Sequence, residues 1–236
     1  MLLSPSSDPM GQAILDYATK GHAMHKLIVQ SSMFDDDEMP VKTLFRTELE
    51  MPPLELTALN LCQGPTLDVG AGAGCHTLAL ESRGLDVTSI DISSLSTQAR
   101  QMRGAKHALC ADFFTDDFGS GFQTILMLMN GLGIAGKLSR LPTLLMRCKS
   151  LLAEGGKIIA DSSDLSYIFE DEEDEINEQE YHGEVDFQMV YGKVKGRPFD
   201  WLYVDFDTLR RVAAQCGMEA QLIRKGEHYD YLAVIK

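Results

Sequence analysis

The sequence predicts an α/β protein built on a doubly wound, mostly parallel seven-stranded sheet with an antiparallel last strand. Two observations predict it. Five short apolar runs, at 66–69, 86–90, 107–110, 124–129 and 157–160, alternate with helical patterns at 76–83, 95–103 and 138–152. Strands covered by helices on both faces read as continuous apolar runs, and β–α alternation calls for parallel strands joined by right-handed crossovers. At the chain end a helix at 207–216, stopped by Gly217, leads into two further strand candidates at 218–224 and 229–235. A chain of 236 residues, 44% of them hydrophobic, can bury a substantial core within one domain.

The elements before and after this alternating core have their own signatures. Asp8-Pro9 opens a helix, with Asp as its N-cap and Pro at its first position. Met10, Ile14, Tyr17 and Ala18 give that helix one apolar face, and Gly21 stops it. An acidic loop at 35–38, Pro40 and Pro52-Pro53 separate further helical stretches, the last carrying Leu54, Leu56, Leu59 and Leu61. No strand pattern precedes Pro65, so residues 1–64 are expected to form a helical cap. The cofactor-binding core spans 65–161. A solvated acidic loop at 171–175 and strand patterns at 185–190 and 201–204 make 162–204 an inserted loop and β-hairpin. Residues 205–236 supply the final helix and strands, completing a single domain.

Charge and cysteines exclude several function classes. Net charge −14 from 35 acidic and 21 basic residues repels polyanions, and Lys and Arg never cluster in a run of four. Nucleic-acid and anionic-membrane partners are therefore not expected. Cys62, Cys75, Cys110, Cys148 and Cys216 are odd in number and form no CxxC pair, which suits reduced thiols in the cytoplasm. The N-terminus carries no signal-peptide pattern, and no window approaches the ~20 apolar residues of a membrane span. His22 and His25 share a helical spacing but lack further ligands, so no metal site is expected.

The sharpest motif is Asp68-Val69-Gly70-Ala71-Gly72-Ala73-Gly74, a strand entering a glycine-rich turn that opens a helix. Glycine lets the backbone turn tightly and approach a ligand, and the helix N-terminus attracts negative charge. The dinucleotide pattern GxGxxG would place its third glycine on Cys75 or Thr77, and neither fits. GxGxG with an acid two residues earlier resembles the first motif of the class I, Rossmann-like S-adenosylmethionine-dependent methyltransferases. The second strand then ends in Asp91, 21 residues after Gly70, and the next in Asp112-Phe113.

The resemblance implies S-adenosylmethionine as cofactor, bound by Asp68, Gly70, Ala71, Gly72, Gly74, Asp91, Ile92, Asp112, Phe113 and Asn130. In that family Asp91 would hold the ribose hydroxyls, and Ile92 would flank the adenine. Asp112 would accept from the adenine amino group, and Phe113 would donate its backbone N–H. The Met129-Asn130 segment would border the methionine moiety, with Asp68 near its amino group. Methyl transfer from a sulfonium is an in-line displacement in which the protein mainly orients the reactants; a general base is needed only where the acceptor must lose a proton, and none is identified.

The acceptor implied is a small molecule, with S-adenosylhomocysteine as product. The strand end Met129-Asn130-Gly131 lacks the Asn/Asp-Pro-Pro-aromatic signature of planar-amine methylation, and no Pro-Cys pair occurs. Asp161, Tyr17, Tyr181, His228 and Tyr229 are the acceptor-side candidates. Asp161 has an equal reading as a cap for the turn through residues 162–164. His76 reads as a surface residue. By resemblance, the helices before Pro65 and the inserted hairpin form the lid and acceptor pocket, so a chain cut near Gly64 should leave a foldable core. The competing readings are a nicotinamide-dependent oxidoreductase, which would share Asp91, and a non-enzymatic adenosyl-cofactor-binding protein.

Overall fold

The computed structural model describes residues 1–169 and 181–236. The acidic loop expected at 171–175 lies outside them. Helix α1 (Pro9–Lys20) begins as its sequence dictates: Asp8 Oδ1 accepts from the Gly11 N–H at 2.8 Å, and Gly21 ends the helix in the left-handed conformation. Asp8 also accepts from the Ser93 hydroxyl through its other oxygen, tying α1 to the second βα turn of the core. Asp8→Ala removes both bonds and should cost about 1–2 kcal/mol of stability in urea denaturation. A loss under about 0.3 kcal/mol would show that neither bond holds α1 in place.

The N-terminal segment departs from the helical expectation. After α1 come two strands, β1 (Leu27–Gln30) and β2 (Asp37–Met39), then two short 3-10 turns and α2 (Pro53–Leu61). Four and three residues are too few to show a period of two. β1 is a strand because it pairs, residue for residue, with a segment some 160 positions later. Pairing between segments so far apart leaves no local mark in sequence.

The core then alternates as expected: β3 (Thr66–Val69), α3 (Cys75–Ser82), β4 (Val87–Asp91), α4 (Ser94–Met102), β5 (His107–Cys110), β6 (Phe122–Met127), α5 (Leu141–Leu151) and β7 (Leu152–Ser163). The insertion supplies β8 (Glu184–Tyr191), β9 (Val194–Lys195) and β10 (Phe199–Leu202). The chain closes with α6 (Phe206–Gln215), β11 (Ala220–Lys225) and β12 (Asp230–Ile235).

The main sheet has seven strands in the order β11-β12-β7-β6-β3-β4-β5. Strands β3 to β7 run parallel, and the last strand, β12, is antiparallel to both neighbours. The strand order reverses at β3, between β4 and β6, so the carboxyl end of β3 is the crevice where such sheets bind ligands. Helices cover both faces. Ile125 and Met127 of β6 pack with α5 and α6, whereas Leu126 and Leu128 pack with α2 and α3.

Leu54, Ala58 and Leu59 of α2 belong to that second core. A cut near Gly64 therefore strips buried core along with the rest of the N-terminal segment, against the expectation that it would leave a foldable core.

A smaller antiparallel sheet, β10-β8-β1-β2 with β9 beside β8, stands over the carboxyl edge. The expected inserted hairpin is present in it, but its central strand β8 is shared: β10 flanks one side and the N-terminal β1 the other. Tyr191 locks this sheet to α1, its hydroxyl donating to Asp16 at 3.0 Å and accepting from the Met24 N–H at 2.7 Å.

Candidate active site

The loop after β3 needs its glycines. Gly70, Gly72 and Gly74 have φ of 72°, 50° and 85°, values that side-chain-bearing residues rarely adopt. Their amides tie the loop to the neighbouring strand end. Gly70 and Ala71 N–H donate to the Ile90 carbonyl at 3.0 Å, and Gly72 N–H donates to Asp91 Oδ2 at 2.9 Å. From below, the buried Arg100 of α4 donates to the Gly72 carbonyl at 2.9 Å. A Cβ built on Gly72 would meet no atom closer than Ile14 Cδ1 at 3.9 Å, whereas one on Gly70 would meet Ile134 Cδ1 at 3.3 Å and one on Gly74 Arg100 Cγ at 3.0 Å, so it is at Gly72 that the loop presents bare backbone. That is the form a close-approaching ligand requires.

The acidic residues stand round this loop. Asp91 ends β4, and its second oxygen accepts from the Ser93 N–H at 2.8 Å. Ile92 follows it, 38% exposed, with its carbonyl bonded to the Leu3 N–H at 3.0 Å. Asp112 lies just after β5, accepting from the Phe114 N–H at 2.9 Å and pairing with the Met1 ammonium. Phe113 is buried and packs against Phe114 and Phe118.

Asp68 lies fully buried at the base of the loop, with Oδ2 accepting from the Thr77 hydroxyl at 2.5 Å. Burial pushes its pKa up, against the opposing pull of His76, Thr77 and Arg100.

After β6 the chain makes a left-handed turn at Met129 (φ 63°) and Asn130 (φ 59°). Asp161 braces it: its carboxylate accepts from the Met129 and Gly131 N–H groups at 3.1 and 3.2 Å. Burial raises Asp161 to about 6 despite these bonds. Asp161 caps this turn and not the one through residues 162–164, where Asp164 receives the Ser166 N–H instead. Asn130 accepts from the Ser162 hydroxyl at 2.9 Å and donates to the Leu202 carbonyl at 3.4 Å. The turn is thereby fixed to both sheets.

Beside Met129 lies a cavity of about 460 Å³, walled by the smaller sheet and the segment after β2. Phe34, Phe187 and Tyr203 line it with Met129, together with the acidic residues Asp35, Asp37 and Glu38, the last paired with Lys26 at 2.7 Å, and among the described residues no Lys or Arg lines it. None of the acceptor-side candidates read from the sequence reaches this wall. Tyr17 stacks on Phe45 at 4.4 Å. Tyr181 braces α6, donating to Asp205 at 2.6 Å and accepting from its N–H at 2.8 Å. His228 and Tyr229 form the exposed β11–β12 turn, where Tyr229 stacks on Tyr167 at 4.1 Å.

His76 is likewise not on the surface. It is buried at the start of α3, with Nε2 bonded to Glu55 at 2.9 Å. Arg46 grips the same carboxylate through Nε at 3.0 Å and Nη2 at 2.6 Å. Glu55 and Arg46 come from the N-terminal segment, 21 and 30 residues before His76. No local pattern announces so distant a pairing.

A glycine cradle at the switch point, followed by acids after two successive parallel strands, defines an adenosyl-cofactor-binding α/β protein. Residues 67–160 match the family model described as a methyltransferase domain. The chain is 50% identical to an S-adenosylmethionine-dependent methyltransferase from Bacteroides fragilis, solved with S-adenosyl-L-homocysteine. That match has a TM-score of 0.94 and covers 100% of this chain and 97% of the other.

More distant structures share the fold. The CcbJ methyltransferase of Streptomyces caelestis is 13% identical, with a TM-score of 0.57 over 79% of this chain and 96% of its own. The sugar N-methyltransferase KedS8 of Streptoalloteichus is 18% identical, with a TM-score of 0.55 over 87% and 96%. A search of curated proteins gave no match. The chain belongs to the S-adenosylmethionine-dependent methyltransferases: it is an enzyme, and its cofactor is S-adenosylmethionine. The oxidoreductase and non-enzymatic readings fall with that membership.

Proposed function

We propose that this methyltransferase acts on a small molecule carrying a protonated amine, held in the cavity beside Met129. The cavity carries the reading. Its volume of about 460 Å³ suits a metabolite-sized ligand. Glu38 is already paired with Lys26 at 2.7 Å, and the two remaining carboxylates, Asp35 and Asp37, favour a cation beside the aromatic lining of Phe34, Phe187 and Tyr203. The net charge of −14 argues further against polyanionic acceptors.

On the cofactor side, Asp91 takes the ribose hydroxyls. Ile92 flanks the adenine, and Asp112 with the Phe113 N–H reads its edge. Asp68, Asn130 and the backbone of Gly70, Ala71, Gly72 and Gly74 surround the methionine moiety. The cofactor supplies an activated methyl group on a sulfonium. The protein holds the acceptor by its ammonium, aims a separate nucleophilic atom with a free lone pair in line with the methyl group, and keeps the site dry. The segment 21–45 and the insertion 162–204 serve as the acceptor-side cover of a single domain over 1–236.

The cytoplasm is the proposed location. All five cysteines are free thiols, and among the described residues no helix is long and apolar enough to cross a membrane.

The test is titration of the S-adenosylhomocysteine-loaded enzyme with three isosteric probes: phenethylamine, phenethyl alcohol and phenylacetate. The amine should bind at least about tenfold tighter than the other two, and Asp35→Asn/Asp37→Asn should erase most of that preference. Equal or tighter binding of the acid or alcohol would reject a cationic acceptor, as would a failure of the amine to bind.

A further inference from the structure

We propose that His76, clamped by Glu55 and Arg46, is a positioning residue for the cofactor, its imidazolium supplying the counter-charge that keeps the Asp68 carboxylate ionised. The inference rests on the reading of Asp68 as the group that receives the ammonium of the methionine moiety. It follows from where the charges are buried.

Arg46, Glu55, His76 and Asp68 are all buried, and two cations share the first carboxylate. The bidentate Arg46 fork already satisfies Glu55 electrically, so a protonated His76 leaves one positive charge over. That charge sits one residue before Thr77, whose hydroxyl is bonded to Asp68. A carboxylate sealed from water in this way tends to take up a proton, and a protonated Asp68 cannot attract an ammonium.

The surroundings support a charged ring. Burial opposes charge on His76, but bonding to Cys75 and Glu55 and the proximity of Asp68 prevail, pushing it up to about 10. Glu55 is held below the usual carboxylate range: burial works against this, but His76 and Arg46 outweigh it. Asp161, across the site on β7, also feels the His76 charge. On the far side of Asp68, Arg100 adds a second favourable charge and Asp91 an unfavourable one. Cys62 faces the same carboxylate and stays protonated, its thiol pushed up to about 12 by burial and by Asp68.

The experiment compares two ligands that differ in the methionine moiety. S-adenosylhomocysteine carries the ammonium, and 5′-methylthioadenosine lacks it. In the wild-type enzyme the ratio of their affinities should stay level between about pH 6 and about pH 8.5. In His76→Gln it should fall about tenfold near the acid end and recover toward the alkaline end, because Asp68 then ionises later. A level ratio in His76→Gln, or an equal loss for both ligands, would overturn the proposal in favour of a purely structural His76.

Asp68→Asn separates this from the underlying reading. If that variant leaves the ratio unchanged, Asp68 does not receive the ammonium. Should His76→Gln fail to fold, long-range 1H–15N spectra of the wild-type enzyme decide instead. One imidazole should remain doubly protonated at about pH 8.5, where an ordinary histidine is neutral. A neutral His76 ring at that pH rules the counter-charge out.

Discussion

Replacing Asp91 with alanine is expected to weaken S-adenosylhomocysteine binding about a hundredfold, the largest loss of affinity from any single side chain of the site. The carboxylate stands at the end of β4 beside the glycine loop, with both oxygens already accepting one backbone N–H each. Each oxygen has lone-pair capacity left, so two ribose hydroxyls can be received without breaking the bonds to Gly72 and Ser93. Hydrogen bonds to a charged group contribute about 1.5–3 kcal/mol each. Losing two, with partial replacement by water, costs roughly 3 kcal/mol, or about two powers of ten in Kd.

The variant also frees the Gly72 N–H and removes the charge 3.9 Å from Arg100. Some of the loss should therefore appear as a looser loop and a lower melting temperature. Asp91→Asn should be intermediate, since an amide offers one acceptor oxygen where the carboxylate offers two. The measurement is calorimetric titration beside NAD as a control. A loss below about fivefold would mean that Asp91 serves the loop alone. Tighter binding of NAD than of S-adenosylhomocysteine would overturn the placement of the cofactor on this loop.

What made the position of Asp91 readable is that it is set locally. A carboxylate at a strand end and glycines at positive φ leave their marks within a few residues. The runs expected at 66–69 and 124–129 correspond to β3 (Thr66–Val69) and β6 (Phe122–Met127), strands covered on both faces. The smaller sheet left no such mark. Leu27–Gln30 becomes a strand because Tyr191 and its neighbours lie opposite it.

His76 was misread for the same reason. Following a glycine turn on a short helix, it looks solvent-facing until Glu55 and Arg46 arrive from the N-terminal segment. The acceptor cavity is the extreme case. Its wall draws on residues 29–44, 129, 187 and 203, and no contiguous stretch holds enough of it to be recognised. Sequence reading therefore reached the glycine loop and the strand ends beside it, which neighbouring βα units build. It did not reach the cavity beside Met129, which the tertiary fold assembles.

Gly133→Ala should be a strongly damaging single-methyl change near the site, costing about 3 kcal/mol of stability and lowering Tm by roughly 6–12 °C. Gly133 is buried in the 3-10 turn Gly131–Ala135, directly after the Met129-Asn130 turn, and its backbone does not demand glycine. Space does. A Cβ there would stand inside the indole of Trp201, far below van der Waals contact, so the ring must leave its seat. Trp201 is paired with Val185 across β10 and β8, and Tyr203, two residues on, lines the acceptor cavity.

Displacing the indole therefore moves the cavity wall while the glycine loop, Asp91 and Asp112 stay put. The expected signature is a Kd for phenethylamine raised about tenfold with S-adenosylhomocysteine affinity changed far less. A double-mutant cycle with Trp201→Leu tests the cause. If the clash is the mechanism, Trp201→Leu in the Gly133→Ala background should cost much less than it does alone, because the indole has already been unseated. Additive costs would show that Gly133 acts through its own turn, and the coupling of the two sheets through Trp201 would have to be abandoned.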